Sequence, residues 1–131
     1  MMNSVLVTGA TGLIGKALVQ QLDKLGFKVY ASCRSSEKFK ACFQDNKNVV
    51  PVYGDICTLD INSLSVDYII HAASTTTSKD FVDRPVETIR TAVGGTLNIL
   101  DQCKKKQLTA IAARLVLRLG FGCNLLTLIT M

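Results

Sequence analysis

Three glycines spaced three residues apart, Gly9, Gly12 and Gly15, end an apolar, β-branched run near the start of the chain. This pattern predicts a buried strand, a tight turn and the start of a helix. The first glycine allows the turn, the second lets a pyrophosphate approach bare backbone, and the third lets the helix pack close to the sheet. Although such turns also occur for steric reasons alone, apolar residues at helical spacing follow this one: Leu13, Ile14, Ala17, Leu18, Leu22 and Leu25. We therefore predict a dinucleotide-phosphate site at this helix N-terminus.

Length and composition indicate a single α/β domain. The chain has 131 residues, 48% of them hydrophobic and 19% charged. It is long enough for one core but short for an enzyme with separate cofactor and substrate parts. The five cysteines show no CxxC pair and no metal-ligand spacing, which predicts reduced thiols, no metal site and a cytoplasmic location.

The net charge of +5 does not predict a nucleic-acid partner. Five of the fifteen basic residues but only one of the ten acidic residues lie in residues 101–131. Three of the five, Lys104 to Lys106, fall where cations complement a helix dipole. The chain starts without a secretory signal pattern, and the apolar stretch 119–131 is too short to cross a bilayer, so we expect no membrane partner.

Strand and helix patterns alternate along the rest of the chain. Strands are predicted at Phe27–Ser32, Val49–Tyr53 and Val66–His71, and a short helix at Glu37–Phe43. The alternation predicts a parallel sheet with right-handed crossovers and strand order 3-2-1-4.

A long helix is predicted last, with Asp83 as its N-cap and Pro85 in its first turn. Its apolar residues form one stripe: Val86, Ile89, Val93, Leu97, Leu100 and Cys103. Gly94 and Gly95 each cost about 1 kcal/mol relative to alanine inside a helix, so we expect close packing there.

The residues that follow the second and third strands are candidates for cofactor contacts. Arg34 could pair with a ribose 2′-phosphate to which Ser35 and Ser36 donate, which favours NADP over NAD. Alternatively, Arg34 could be a solvated loop charge with the two serines capping the next helix. Asp55 and Ile56 could contact the adenine, or Asp55 could be a turn residue.

The fourth strand ends in His71, Ala72 and Ala73, small residues after the only histidine. We interpret His71 as a packed, hydrogen-bonded residue rather than a catalyst. The polar loop Thr75–Asp80 follows; it could serve a substrate or be only a loop.

Taken together, these motifs resemble those of the extended short-chain dehydrogenase/reductase family, the NAD(P)-dependent epimerases and dehydratases of nucleotide sugars. The resemblance rests on residues 7–15, Gly54-Asp55, His71-Ala72-Ala73 and 85–100, and covers residues 3 to about 107. It implies a Rossmann-type, three-layer α/β fold, incomplete in its C-terminal half. The predicted cofactor-binding residues are Gly9, Thr11, Gly12, Leu13, Ile14, Gly15, Arg34, Asp55, Ile56, Ala72 and Ala73.

Two departures from the family pattern bear on activity. Ala92 stands where the family usually has an asparagine that supports a proton relay. The family's Tyr-x-x-x-Lys pair is absent, since Tyr30, Tyr53 and Tyr68 all lie upstream and none has a lysine four residues on. We therefore assign no catalytic residue, and we expect a nucleotide-sugar substrate only in a full-length relative.

Residues 108–131 form an apolar tail that suggests a frameshift or truncation near Leu108, with Arg114–Leu119 able to add a strand beside the fourth. Three interpretations remain open at this point: an inactive N-terminal portion of an epimerase or dehydratase, a non-catalytic dinucleotide sensor, or an interaction fragment driven by its tail. Dimerisation is doubtful on any of them, because the resemblance places the usual interface on the long helix and the missing catalytic one.

Overall fold

The computed structural model describes residues 2–73 and 78–112. Strands and helices alternate along the first part of the chain as the sequence predicts, but the third and fourth strands follow each other without a helix between them, and two helices then follow in succession. The elements are β1 (Ser4–Thr8), α1 (Leu13–Lys24), β2 (Lys28–Cys33), α2 (Ser36–Phe43), β3 (Val49–Tyr53), β4 (Tyr68–His71), α3 (Ser78–Asp83), α4 (Pro85–Lys106) and β5 (Thr109–Ala112).

The five strands form one parallel sheet in the order β3-β2-β1-β4-β5. The predicted order 3-2-1-4 is confirmed. The strand beside β4 is Thr109–Ala112, directly after α4. The segment predicted for that place, Arg114–Leu119, lies outside the described residues.

Two hydrophobic cores cover the two faces of the sheet. Alternate residues of β1 divide between them, as strand geometry requires. One core includes Val5, Val7, Val19, Val29 and Phe43, beneath α1 and α2. The other includes Leu6, Ile61, Ile69, Ile99 and Cys103, beneath α4. All five residues of β1 are buried, so its end is a fixed point from which the following turn departs.

The apolar stripe predicted on α4 faces the sheet only at its end, where Leu100 and Cys103 pack in the core. Val86, Ile89, Val93 and Leu97 are each more than half exposed. The buried face instead carries Thr88, Gly95, Ile99, Gln102 and Cys103. Helix α1 differs in the same way, because Leu13 and Leu25 are exposed while Gly15 and Val19 face the sheet. Both helices are apolar on more than one side, so periodicity alone does not identify the packed face.

The start of α4 also differs from the prediction. Asp83 is the last residue of α3, and Arg84 occupies the N-cap position of α4, with Pro85 directly after it. Ser78 to Asp80 form the first turn of α3 rather than part of a loop, and residues 74–77 lie outside the described part. Pro85 lacks an N–H group, so a new helix can begin there without losing a hydrogen bond.

The two glycines inside α4 lie against the loop after β3, as the close-packing prediction requires. A Cβ atom on Gly95 would lie 2.7 Å from Cγ2 of Ile56, whereas one on Gly94 would lie 3.4 Å from Sγ of Cys57. The first distance is too short for two carbon atoms, while the second is an ordinary contact.

These distances predict opposite effects for two adjacent substitutions. Gly94→Ala should stabilise the chain by up to about 1 kcal/mol, because alanine is the better helix former. Gly95→Ala should give a net destabilisation of about 1 kcal/mol or more, because the β-branched Ile56 must move. Urea unfolding of the two variants measures the difference. Equal effects would show that α4 does not pack on this loop as described.

Candidate functional site

The predicted site residues gather at one edge of the sheet. Because the strands are parallel, their carboxyl ends share this edge, and the described strand order places the ends of β3, β2, β1 and β4 side by side. With neighbouring strands about 4.8 Å apart, the four ends span about 14 Å. In chain order the segments that follow these strands are 9–15, Arg34, 55–56 and 72–73. Strands β2 and β3 lie on one side of β1, and β4 lies on its other side. Open parallel sheets bind ligands at such a switch in strand order, here between β1 and β4.

The turn after β1 requires glycine at two of its three glycine positions. Gly9 has a φ of 65°, and a Cβ atom there would lie 2.7 Å from Cα of Ala73. A Cβ atom on Gly15 would overlap the carbonyl oxygen of Gly9. The first and third glycines are therefore required by the fold itself, as the sequence pattern predicts.

Gly12 is different, because its surroundings leave room for a ligand. It is the N-cap of α1, is exposed, and has no side chain with which to cap the helix. No acidic residue lies in the first turn of α1. The helix start therefore presents backbone N–H groups and the positive end of its dipole, an arrangement that suits a phosphate. Thr11 is half-buried beside it, and Leu13 is 93% exposed.

The turn after β4 is held against this glycine turn by the side chain of Thr8. The backbone N–H groups of Ala72 and Ala73 donate to Thr8 Oγ1 at 3.1 and 3.2 Å. Thr8 Oγ1 also lies 2.7 Å from Nδ1 of His71, a buried contact. On the other side of the ring, His71 Nε2 lies 3.1 Å from Oγ1 of Thr96, which donates to the carbonyl oxygen of Ala92 at 2.7 Å.

These contacts determine the tautomer of His71. The two N–H groups use both acceptor positions of the Thr8 hydroxyl, so its proton must point at Nδ1. Nδ1 is then an acceptor, and the ring proton lies on Nε2, from which it is donated to Thr96. Burial lowers the pKa of His71 below its ordinary value, which favours the same neutral form. The prediction that His71 is packed and hydrogen-bonded is confirmed.

The end of β2 carries Arg34, an exposed residue. Ser35 next to it is the N-cap of α2, and its Oγ accepts the N–H of Lys38 at 3.3 Å. Ser35 therefore caps α2, as one of the two interpretations of residues 34–36 predicts. Arg34 itself lies at the carboxyl edge of the sheet, directly after β2.

The end of β3 carries Asp55 and Ile56. Asp55 Oδ1 accepts the N–H of Cys57 at 2.8 Å, which makes Asp55 a turn residue. A carboxylate has a second oxygen, so this role is compatible with a ligand contact. Ile56 is half-buried and rests on Gly95.

One depression among the described residues lies away from this edge. A depression of about 430 Å³ is formed by residues 62–66 with Lys106 and Leu108, near the amino end of β4. Within residues 2–73 and 78–112, no three histidine, cysteine or acidic side chains are grouped as a metal site. Over the same residues, no helix is both long enough and apolar enough to cross a membrane. Cys33, Cys42, Cys57 and Cys103 are free thiols.

Sequence reasoning missed several polar residues that shape the site. Thr8 and Thr96 hold His71, and Asn98 and Gln102 bind the loop after β3. The available signal was a polar residue at the end of an apolar strand, and an amide pair four residues apart on a helix that packs on the sheet.

The neutral state of His71 predicts a dependence of stability on pH. Because its pKa is lowered in the folded chain, the unfolded chain binds more protons near pH 6, so the free energy of unfolding rises with pH. This stability should be complete above about pH 6.5 and fall as the pH drops below it, by up to about 1.4 kcal/mol per pH unit. Urea unfolding at several pH values measures it.

His71→Gln is the control, since an amide does not titrate over this range. A wild-type curve as flat as that of the variant between pH 7.5 and 5.5 would contradict the assignment.

Comparison with known proteins agrees with this architecture. A curated relative, an uncharacterised oxidoreductase of Saccharomyces cerevisiae, is 33% identical in an alignment of length 116 that covers 80% of this chain and 33% of the relative. The chain spans about a third of the length of the curated relatives it matches.

Two solved structures of UDP-glucose 4-epimerases share the fold. The enzyme of Bifidobacterium longum, in complex with NAD+ and UDP, is 24% identical with a TM-score of 0.73, over 85% of this chain and 36% of that one. The enzyme of Thermotoga maritima, with UDP-glucose, is 26% identical with a TM-score of 0.72, over 83% of this chain and 37% of that one. The fold is thus the Rossmann-type α/β fold that the sequence predicts.

The sequence profile of the NAD dependent epimerase/dehydratase family matches residues 5–117. The match extends past the boundary predicted after Gln107 and includes β5. The frameshift or truncation proposed for residues 108–131 stays a prediction. Since the match covers most of the 131 residues, the chain belongs to the NAD dependent epimerase/dehydratase family.

Proposed function

We propose that this chain binds NAD(P) along the carboxyl edge of its sheet, as the cofactor-binding portion of a nucleotide-sugar epimerase or dehydratase. The observation that carries the proposal is the start of α1. Gly12 leaves this helix N-terminus uncapped and free of acidic side chains. It lies at the switch in strand order between β1 and β4. A dinucleotide pyrophosphate is the ligand whose charge and shape fit that place.

The other strand ends fit the remaining parts of the cofactor in order. The adenine lies against Asp55 and Ile56 beyond β3, and the adenosine ribose lies near Arg34 beyond β2. The nicotinamide ribose lies beside Ala72 and Ala73 beyond β4, where small side chains leave the backbone accessible. This order follows the described order of the strands, so an extended ligand meets each segment once.

We propose further that the 131 residues bind the cofactor without turning over a substrate. The three tyrosines lie on β2, β3 and β4, and none has a lysine four residues on. Ala92 contributes only its carbonyl oxygen, to Thr96. Binding of a nucleotide sugar and its conversion require a full-length relative. A dinucleotide sensor would show the same binding without turnover, and on either reading we place the chain in the cytoplasm without a nucleic-acid or membrane partner.

Gly12→Ala tests cofactor binding separately from folding. A Cβ atom on Gly12 would meet only the carbonyl oxygen of Gly9, at 3.3 Å, and φ is −74°. We therefore expect the free energy of unfolding to change by about 1 kcal/mol or less. The added methyl group projects where the pyrophosphate approaches, so the affinity for NAD+ or NADP+ should fall at least about tenfold.

Isothermal titration calorimetry and urea unfolding measure the two quantities on the same preparation. A folded wild-type chain that binds neither cofactor would refute the proposal, and so would a Gly12→Ala variant with wild-type affinity.

The proposed preference for NADP rests on Arg34 and on the two serines that follow it, and only Arg34 among them is charged. Arg34→Ala should reduce the affinity for NADP+ about tenfold relative to NAD+, because a guanidinium pairs with the 2′-phosphate. Lys38→Ala is the matched control, since Lys38 is an exposed cation one turn into α2. If the ratio of the two affinities is the same in all three proteins, Arg34 does not read the 2′-phosphate.

A further inference from the structure

The loop after β3, residues 55–61, is fastened to α4 by two side-chain amides. Asn98 Nδ2 donates to the carbonyl oxygen of Ile56 at 2.8 Å and to that of Leu59 at 3.0 Å. Gln102 Oε1 accepts the N–H of Ile61 at 2.7 Å, and Gln102 Nε2 donates to the same Leu59 carbonyl. The two amides join each other through Gln102 Nε2 and Asn98 Oδ1, 3.0 Å apart.

This network uses every N–H donor of both amides, and each amide oxygen accepts one hydrogen bond. Each amide has two N–H donors, and all four donate; each has one oxygen, and both accept. The carbonyl oxygen of Leu59 accepts twice, which is its capacity. A reversed Gln102 amide would point its N–H₂ at the N–H of Ile61, so the orientation is fixed. Gln102 is 7% exposed and Ile61 fully buried, and buried polar groups bonded in this way hold one conformation.

The same loop begins with two of the predicted adenine contacts, Asp55 and Ile56. The carbonyl oxygen of Asp55 accepts the N–H groups of Thr58 and Leu59, at 3.1 and 2.8 Å, which closes a compact turn. The side chain of Ile56 packs on Gly95, one turn before Asn98 on α4. The position of the loop start is therefore set by α4 as well as by β3.

We propose that Asn98 and Gln102 are positioning residues for the adenine end of the cofactor. They do not touch the ligand; they hold Asp55 and Ile56 where the adenine meets them. The inference rests on the proposed function, since it assigns a role within the same binding edge.

The test uses Asn98→Asp, which removes both donors and brings an anionic oxygen against two carbonyl oxygens. Asp101→Asn is the matched control, the reverse exchange at an exposed position of the same helix. NMR titration, which measures weak affinities, compares AMP with nicotinamide mononucleotide as ligands. AMP affinity should fall at least about tenfold in Asn98→Asp, while that for nicotinamide mononucleotide changes less than about twofold. Both affinities should stay at wild-type values in Asp101→Asn.

A merely structural role would lower both affinities together, so equal losses would overturn the inference, as would wild-type AMP binding by Asn98→Asp. If the wild-type chain binds neither of these ligands nor NAD(P), the proposed function itself is wrong. This result differs from those that contradict only the positioning role of Asn98 and Gln102. Circular dichroism confirms that each variant is folded. Should Asn98→Asp not fold, Asn98→Ala removes the same donors without adding a charge and takes its place in the comparison.

Discussion

The hydroxyl of Thr8 accepts the backbone N–H groups of Ala72 and Ala73 and so fixes the turn after β4 against the turn after β1. Gly9 makes this approach possible, since any side chain there would collide with Ala73. The proposed pyrophosphate and nicotinamide subsites lie on these two turns. The geometry of this part of the carboxyl edge therefore depends on one hydroxyl group and one missing Cβ atom.

Helix α4 contacts the residues of that edge at two places. Through Thr96 it holds His71, and Nδ1 of His71 accepts a hydrogen bond from the hydroxyl of Thr8. Through Gly95 and Asn98 it holds the loop after β3. One turn of this helix thus contacts both His71, next to the proposed nicotinamide subsite, and Ile56, at the proposed adenine subsite. The exposed side of α4 carries the stripe Val86, Ile89, Val93 and Leu97, which no part of the described chain buries.

The sequence was sufficient to predict the sheet and the glycine turn at its edge, because these depend on local patterns. Val49–Tyr53 was predicted with both ends correct, and the roles of Gly9 and Gly15 follow from sterics that any such turn shares. The packed faces of α1 and α4 were not predictable, since both helices carry apolar residues on several sides. The hydrogen bonds of Asn98 and Gln102 join residues about forty positions apart, and no local pattern encodes such pairs.

The most direct test of the account is to titrate the ¹⁵N-labelled chain with NAD+ and NADP+ and to follow every backbone amide by NMR. The account predicts that the largest shifts fall on residues 9–15, with smaller ones at Ala72 and Ala73 and in residues 55–56. Shifts confined to the depression around residues 62–66, or no shifts at saturating cofactor, would contradict it.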